Sequence, residues 1–468
     1  MLPVRDIQTT VVWSFGTSSF NDQLINTISK QERQTLRLVS DAQGLAKLSD
    51  FCGKLKKLNN DSSIMVELLA RSTGSIKNLK DPLELKFSQK VTITDTDGDG
   101  DLIISVESWS NLFASNCDIY FGNGSVVLKP INIGDGSIEA EVIQGGSVTP
   151  DMEVHVPGTR KYPSSERLLK DLKPLDLTNV DFLVIPATEK PISFEKVVGD
   201  LDCKGVAPWI FLRVETEYVA NHLLDYLPLV KGVLISRIDL ALNSDPAKVP
   251  MMTKEIIQLC NDHSKIVLVA SDILWSMRHN ATPTRAEVSD IANAVFDGAD
   301  GVVLSDELPR GKYAVRGLEL ASKTIVDAES MGEDHDSNWV KHDPEVTDIL
   351  ACITMSAYRT AQRNKAQAIV CLTKAGNTAL HLASYKTSIP IIAVTLSDQV
   401  CRRLRLVRGV VAVKLEETPQ TDDILQLIND KLVREEWLVT GDKIVFVSVT
   451  LSSVGKDASN LFTVQTIV

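Results

Sequence analysis

Short apolar segments recur along the chain at spacings that leave room for a helix between them. Each is the kind of run expected of a strand buried on both faces of a parallel sheet. The predicted strands are residues 9–15, 35–40, 63–69, 181–187, 209–215, 232–236, 265–271 and 301–307. Amphipathic helices are predicted between them, for example at 42–58, 194–200, 249–262 and 284–298. Strands that alternate with helices form parallel βαβ units, and eight such strands predict an α/β fold with a closed (β/α)8 TIM barrel.

Two parts of the chain depart from this spacing. Residues 73–157 alternate between apolar and polar positions and are punctuated by Gly, Asp and Pro. They predict a small antiparallel β-barrel domain, inserted as a lid beside the mouth of the TIM barrel. From residue 346 the helix and strand pattern restarts, which predicts a C-terminal α/β domain over 346–468. The TIM barrel is therefore predicted to comprise residues 1–72 and 158–345.

Composition narrows the possible partners and location. The formal net charge of −12 argues against nucleic acid as a partner, because nucleic-acid binding demands a basic surface. The seven cysteines are scattered without CxxC pairs, which indicates reduced thiols in an intracellular protein. No apolar run approaches the about 20 residues that span a bilayer, and no targeting signal is evident. We therefore expect a cytoplasmic protein that does not bind membranes.

An acidic run, "DTDGDGDL" at 95–102, resembles part of a calcium loop. Asp95, Asp97, Asp99 and Gly100 fit the first half of an EF-hand loop, but its twelfth position is Val106 instead of the required glutamate. The flanking segments also predict strands, whereas an EF-hand needs helices. We interpret the run as an acidic hairpin turn.

Two carboxylates follow neighbouring strands of the predicted barrel. Glu215 ends the fifth strand and Asp239 lies just after the sixth. Because adjacent barrel strands end close together, these side chains could share a divalent cation whose remaining ligands are substrate oxygens and water. The alternative is a pair of carboxylates neutralised by Arg213 and Arg237. The spacing does not distinguish the two.

The segment "LTKAGNTA" at 372–379 follows a predicted strand and opens a predicted helix. Thr373, Lys374 and Thr378, together with backbone amides, are placed to hold an anion at a helix N-terminus. The alternative is an ordinary helix start capped by Asn377 or Thr378. The residues alone leave both interpretations open.

The segment "ATPTRAEVSDIANAVFDGADGVVLSDELPRGKY" at 281–313 resembles the pyruvate kinase family, whose members carry a nearly identical run after the seventh barrel strand. The resemblance covers essentially the whole chain, including "VPG" at 156–158, "LTKAGNTA" and "GDKIVFVS" at 441–448. It implies transfer of the phosphoryl group of phosphoenolpyruvate to ADP, followed by protonation of the enolate. Catalysis of that kind depends chiefly on positioning and charge neutralisation.

The resemblance implies roles for individual residues of the barrel mouth. Arg37 in "LRLVSDAQG" corresponds to the phosphate-binding arginine of the family's "ARLNFSHG". Glu215 and Asp239 correspond to its two magnesium ligands. Ser271 keeps the hydroxyl of a threonine near the enolate carbon. Ile238, Asp239 and Ser271 are the implied substrate-binding residues.

The chain departs from the family pattern at this same site. Arg213 stands at the position of the catalytic lysine, and a planar guanidinium does not replace a compact ammonium at the transferring phosphoryl group. Ile238 fills a glycine position at which the backbone must approach the ligand, so it is expected to obstruct phosphoenolpyruvate. The potassium ligands are replaced by Val39, Asp41, Ala70 and Arg71. Potassium binding is therefore not expected, although Arg71 offers a fixed positive charge.

These departures lead to two hypotheses. Losing one preorganised electrostatic group commonly slows a reaction about 10²- to 10³-fold, and several groups are altered here. The first hypothesis is a pyruvate-kinase-like protein with a degraded active site, inactive or strongly impaired, that acts as a regulatory, ligand-binding or scaffolding subunit. The second is a working enzyme, either a slow, potassium-independent pyruvate kinase that uses Arg71 or a phosphotransferase with a different substrate. Magnesium at Glu215 and Asp239 is compatible with both.

The resemblance also implies an assembly and an effector. Family members form homotetramers, and many bind a sugar bisphosphate in the C-terminal domain. The implied effector-binding residues are Thr373, Lys374, Gly376, Asn377, Thr378, Ser452, Ser453 and Lys456. We expect a homo-oligomer, or a hetero-oligomer with an active pyruvate kinase, and a sugar phosphate effector.

Overall fold

The computed structural model describes most of the chain. The described residues are 9–16, 35–40, 44–69, 74–95, 100–106, 117–122, 124–134, 136–150, 152–157, 162–202, 208–304, 312–332, 349–416, 424–448 and 461–467. Several residues singled out from the sequence lie outside these ranges, namely Asp41, Ala70, Arg71, Asp97, Asp99, Ser452, Ser453 and Lys456.

The first strands of the large barrel coincide with the first apolar runs. They are β1 (Thr10–Gly16), β2 (Thr35–Ser40) and β3 (Ser63–Leu68), and helix α1 (Leu45–Leu58) connects the last two. The helix buries Leu48, Phe51 and Leu55. Residues spaced by three or four lie on one helical face, so this spacing packs one side of α1 onto the sheet.

The segment that follows β3 forms a separate small barrel. Its strands are β4 (Gly74–Ile76), β5 (Leu83–Leu85), β6 (Lys90–Thr94), β7 (Leu102–Val106), β8 (Ile119–Phe121), β9 (Val126–Gly134), β10 (Ser137–Gln144), β11 (Gly146–Val148) and β12 (Glu153–His155). The closed order is β10-β6-β7-β4-β12-β8-β9, and β5 pairs with β11 outside it. The predicted β-barrel lid is therefore confirmed.

One strand pair of the lid corrects the sequence prediction. Strands β6 and β7, which flank the acidic run, are parallel neighbours instead of the two arms of an antiparallel hairpin. Each strand has an antiparallel neighbour on its other side, β10 for β6 and β4 for β7. The acidic run therefore connects two strands that run in the same direction, and strands flank it as predicted.

The chain returns from the lid to the large barrel. The elements are α2 (Ser165–Leu172), β13 (Phe182–Pro186), α3 (Pro191–Asp202), β14 (Trp209–Val214), α4 (Glu217–Asn221), α5 (Leu223–Tyr226), β15 (Gly232–Ser236), α6 (Arg237–Asn243), α7 (Val249–Asp262), β16 (Ile266–Ala270), α8 (Arg285–Phe296), β17 (Gly301–Val303) and α9 (Ala314–Gly332). In the described part of the chain, eight parallel strands close this barrel in the order β1-β2-β3-β13-β14-β15-β16-β17. The predicted TIM barrel is confirmed.

Polar residues replace apolar ones inside the barrel towards the C-terminal ends of its strands. Side chains at alternate strand positions point inwards. Phe211 belongs to the apolar interior and lies edge-on to Phe182, with ring centroids 5.6 Å apart. Two residues further along β14, the inward position is Arg213, which is 8% exposed. The barrel mouth therefore begins where the apolar interior ends.

The C-terminal domain is a layered α/β unit. Its elements are α10 (Ile349–Asn364), β18 (Ala368–Leu372), α11 (Asn377–Ala383), β19 (Ile391–Thr395), α12 (Asp398–Leu404), β20 (Val410–Lys414), α13 (Ile424–Arg434), β21 (Lys443–Ser448) and β22 (Leu461–Thr466). The sheet order is β20-β19-β18-β21-β22, with β22 antiparallel to β21. The C-terminal α/β domain is confirmed, while the residue bounds of the domains stay a prediction.

The C-terminal domain packs against the end of the barrel that is opposite to the mouth. Asp181 and Asp300 precede β13 and β17, so both lie at the N-terminal ends of barrel strands. Asp181 pairs with Arg402 of α12 at 3.0 Å, and Asp300 pairs with Lys386 at 2.8 Å. The mouth is therefore left to the barrel and the lid. Among the described residues, no helix combines the length and the apolar character needed to cross a membrane.

Candidate functional site

Among the described residues, five charged side chains meet at the barrel mouth. Arg37 lies in β2, Glu67 in β3 and Arg213 in β14. Glu215 directly follows β14, and Asp239 lies in the first turn of α6. Parallel strands bring their C-terminal ends together, so residues far apart in sequence meet at one place. We call these residues the mouth cluster.

Arg213 is the centre of the mouth cluster. Its Nη1 lies 3.1 Å from Glu67 Oε1, its Nε 3.2 Å from Glu215 Oε1, and its Nη2 2.6 Å from Asp239 Oδ2. Three carboxylates therefore surround one guanidinium. The planar fork of arginine suits this arrangement, because its nitrogens point in different directions within one plane.

Glu67 is a member of the cluster that the sequence analysis missed. It is completely buried and bridges two cations, because Oε2 accepts a hydrogen bond from Arg37 Nε and Oε1 faces Arg213. Arg37 also donates from Nη1 to Ser14 Oγ at 2.5 Å. One feature of the sequence could have revealed it: an acidic residue at an inward-facing position of the otherwise apolar run "SIMVEL".

Contacts within the cluster keep Glu67 and Arg213 charged. Burial raises the pKa of Glu67, but Arg37 and Arg213 outweigh burial and hold that pKa below its ordinary value. Burial likewise lowers the pKa of Arg213, but Glu215, Asp239 and Glu67 together raise it above its ordinary value. Glu67 and Arg213 are therefore both ionised near neutral pH.

Ser236 connects the cluster to Ser271. Its hydroxyl donates to Asp239 Oδ2 at 2.5 Å and lies 3.4 Å from Ser271 Oγ. Ser271 has a φ of 81°, which is in the left-handed region that few residues other than glycine adopt. The structure thus brings Ser271 to the mouth cluster through one intervening hydroxyl.

Arg237 does not neutralise the two predicted metal ligands. It forms two close contacts with Asp290 of α8, at 2.5 and 2.7 Å. It also donates to the backbone oxygens of Ala270 and Ser271. The suggested pairing of Arg237 with Glu215 and Asp239 was therefore wrong for Arg237, whereas Arg213 does contact both carboxylates.

Ile238 lies at a cleft beside the mouth cluster. The cleft has a volume of about 650 Å³, and its other lining residues include Ser271, Asp272 and Asp290. Tyr120 of the lid also lines it. The isoleucine side chain is half-buried and adds an apolar surface beside the serine that the sequence analysis placed in the substrate pocket.

The donor set of the mouth does not fit a magnesium ion in this arrangement. Mg²⁺ prefers six oxygen ligands at about 2.0–2.1 Å, so an ion shared by Glu215 and Asp239 would compete with the guanidinium that contacts both. Asp239 Oδ2 also accepts hydrogen bonds from Arg213 and Ser236. Across the described ranges, no group of three or more His, Cys, Asp or Glu side chains is arranged to hold a metal ion.

Of the four residues that replace the family's potassium ligands, only Val39 lies within the described ranges. This residue is buried near the end of β2 and is paired in register with Glu67 of β3. Its side chain carries no ligand atom. The three other replacing residues lie outside the described ranges.

The predicted effector loop lies against the N-terminal ends of the barrel strands, which is the end of the barrel opposite the mouth. Thr373 and Thr378 are buried, and Lys374 is exposed. Gly376, with a φ of 91°, donates its backbone N–H to Thr373 Oγ1 at 3.0 Å. Asn377 is the first residue of α11 and accepts a hydrogen bond from Lys231 Nζ at 3.1 Å. The predicted capping role of Asn377 or Thr378 was wrong, because Gly376 occupies the cap position and no side chain caps the helix.

Comparison with known protein families identifies both large parts of the chain. The model of "Pyruvate kinase, barrel domain" matches residues 57–318, which is more than half of the 468 residues. The chain belongs to the pyruvate kinase family. A second model, "Pyruvate kinase, alpha/beta domain", matches residues 351–464.

Individual pyruvate kinases are similar over nearly the whole chain. That of Thermotoga maritima is 29% identical over 420 residues, which covers 88% of this chain and 88% of that protein. That of Clostridium perfringens is 27% identical over 454 residues, covering 94% and 95%. That of Sporosarcina psychrophila is 26% identical over 455 residues, covering 94% and 77%. The chain is therefore a divergent member of the pyruvate kinase family.

In this pyruvate kinase family member, Gly376 is a position where alanine is expected to be costly. An added Cβ would lie 2.9 Å from a ring carbon of Trp209, and the backbone is left-handed there. Gly376→Ala is expected to lower the free energy of unfolding by about 2–4 kcal/mol through strain and overpacking, measured by urea denaturation.

Gly199→Ala is the matched control for this substitution. Gly199 lies inside α3, and a Cβ there meets nothing within 4 Å. Alanine is the better helix former, so this variant is expected to be unchanged or stabilised by up to about 1 kcal/mol. Equal stability of the two alanine variants would contradict the packing argument at Gly376.

Proposed function

We propose that this pyruvate kinase family member has lost most or all of the family's phosphoryl transfer and acts as a non-catalytic regulatory or scaffolding subunit. The observation that carries the proposal is the position of Arg213. Its guanidinium contacts both carboxylates that the resemblance assigns to magnesium. Both carboxylates are thereby neutralised by a side chain of the protein itself and not by a metal ion.

The consequence for phosphoryl transfer follows from electrostatics. The transferring group is an anion, and catalysis needs cations whose charge is available to its oxygens. Arg213 and Arg37 are the cations of the mouth cluster, and both are paired with buried carboxylates. The electric field of a paired guanidinium is largely offset by its carboxylate. Such a guanidinium therefore stabilises a developing anion less than an unpaired one would. Ile238, with its apolar side chain in the adjoining cleft, further disfavours a small anionic substrate.

A second candidate is a slow, potassium-independent pyruvate kinase. It is favoured by the presence at the mouth of Glu215, Asp239 and Ser271, which match family positions. It is also favoured by the similarity to pyruvate kinases over 88–94% of the chain. In this candidate, Arg71 supplies the positive charge of the monovalent cation.

An assay of the purified protein separates the two candidates. Pyruvate formation from phosphoenolpyruvate and ADP would be measured with Mg²⁺ or Mn²⁺, with and without K⁺, beside an active pyruvate kinase under the same conditions. We expect no turnover approaching about 1 s⁻¹, the low end of ordinary enzymes. Faster turnover would overturn the proposed loss of activity and support the slow enzyme instead.

The regulatory part of the proposal rests on the effector loop. Lys374 is exposed and follows the buried Thr373 in sequence, and the left-handed Gly376 is the residue before α11. We propose a sugar phosphate as ligand and an assembly with further copies of this chain or with an active pyruvate kinase. A thermal-shift series with phosphoenolpyruvate, ADP, ATP and sugar bisphosphates should raise the melting temperature only with the sugar bisphosphates. A ligand at 100 times its Kd adds about 2.7 kcal/mol. A shift with phosphoenolpyruvate alone would contradict this ligand assignment.

A further inference from the structure

We propose that Glu67 is the residue that keeps phosphate-bearing ligands out of the barrel mouth, because its one carboxylate engages both Arg37 and Arg213. The inference deepens the proposed function and rests on it. Nothing in the family resemblance assigns a role to Glu67. Its position in the fold, and not a sequence motif, singles it out.

The geometry makes Glu67 a bridge between the two cations. Its side chain is 0% exposed, so it has no access to water that could compete for its oxygens. One oxygen accepts from Arg37 Nε, and the other lies 3.1 Å from Arg213 Nη1. The strand places it there, because β3 lies beside β2 and its inward position 67 is level with the mouth. A phosphate entering the mouth would have to share both guanidiniums with this carboxylate.

The charge balance of the mouth cluster points the same way. The cluster holds the carboxylates of Glu67, Glu215 and Asp239 against the guanidiniums of Arg37 and Arg213. Among these five groups the carboxylates exceed the guanidiniums by one charge, in a largely buried setting where electrostatic interactions are stronger than in water. An entering phosphate meets repulsion. Without the Glu67 charge, the remaining four groups balance, and Arg37 is released from its carboxylate partner.

Glu67→Gln tests this directly, because glutamine keeps the shape and removes the charge. Inorganic pyrophosphate would be the probe, and its Kd would be measured by isothermal titration calorimetry in metal-free buffer at constant ionic strength. We expect affinity in the variant to exceed that of the wild type roughly 10-fold or more, since one like charge close to the ligand is removed. Adding Arg37→Met to Glu67→Gln should abolish the gain, because it removes the released cation.

Asp181→Asn is the matched control. Asp181 is also a buried carboxylate that bridges two cations, Lys56 at 2.8 Å and Arg402 at 3.0 Å, but it lies at the opposite end of the barrel. The Asp181→Asn variant should bind pyrophosphate no more tightly than the wild type. An equal gain in this control, or unchanged affinity in Glu67→Gln, would overturn the proposal.

A second variant decides the outcome if Glu67→Gln does not fold. Glu67→Asp keeps the negative charge, but its side chain is one methylene shorter and is expected to lose its contact with one of the two arginines, which then becomes available to the ligand. It should bind pyrophosphate more tightly than the wild type, and unchanged affinity would count against the proposal.

The pyrophosphate measurement does not depend on whether the protein turns over phosphoenolpyruvate. Pyruvate formation by the wild type would contradict the proposed function, whereas absent turnover together with unchanged pyrophosphate affinity in the variants would contradict only the role of Glu67.

Discussion

Replacing Arg213 with methionine is expected to lower the free energy of unfolding by about 3–5 kcal/mol in metal-free buffer, because it leaves buried carboxylates without their shared cation. Glu67, Glu215 and Asp239 then face one another across the space that the guanidinium occupied. Like charges in a buried site repel strongly. A divalent cation is the natural replacement, since these are oxygen donors.

The same variant is therefore expected to become dependent on metal for its stability. Urea denaturation with Mn²⁺ or with EDTA should show stabilisation of Arg213→Met by Mn²⁺ and no such effect on the wild type. Arg213→Lys is the matched control, because it retains a cation and should respond less to the metal. Equal stabilisation of the wild type by Mn²⁺ would show that Arg213 does not take the place of the metal.

The second large effect is expected at the contact between the barrel and the C-terminal domain. Asp300 accepts hydrogen bonds from Lys386 Nζ at 2.8 Å, from the backbone N–H of Val267 at 3.0 Å and from that of Arg408 at 3.2 Å. Burial lowers the pKa of Lys386, and Asp300 opposes that shift. Asp300→Ala leaves this lysine buried and unpaired, so the free energy of unfolding is expected to fall by about 3–5 kcal/mol.

Chemical denaturation monitored by tryptophan fluorescence measures this loss. Lys254→Ala, which breaks the half-exposed pair of Lys254 with Asp297, is the control. Exposed pairs contribute little, so this variant should stay within about 1 kcal/mol of the wild type. A loss at Asp300 no larger than that of the control would show that the Asp300 pair does not secure the domain contact.

The large barrel could be predicted from sequence because its strands are continuous apolar runs. The run "GVLIS" became β15 (Gly232–Ser236), and the pattern at 249–262 became α7 (Val249–Asp262). Local composition is enough to predict such strands, because a strand buried on both faces is apolar at nearly every position. The acidic run was different. Its flanking strands were predicted correctly, but their parallel pairing depends on β10 and β4, which lie elsewhere in the sequence.

The candidate site was predictable as a set of residues, but the partners of those residues were not. Arg213, Glu215 and Asp239 were placed at the mouth, and the structure brings them together. Arg237 was expected to neutralise the carboxylates, yet it pairs with Asp290, which is 53 positions away. Glu67 was missed because a single acidic residue in an apolar strand does not reveal which cations face it across the barrel.

The pattern of apolar residues is enough to predict a TIM barrel with an inserted β lid and a C-terminal α/β domain, and the motifs along the chain are enough to show its resemblance to the pyruvate kinases. Periodic apolar burial is a local property, and it can be seen in one stretch at a time. The position of Arg213 among three carboxylates, and the bridge that Glu67 forms from it to Arg37, follow only from how the strands are arranged in three dimensions. Ion pairing between strands depends on distances of a few ångströms between residues far apart in the chain, and barrel closure alone sets those distances.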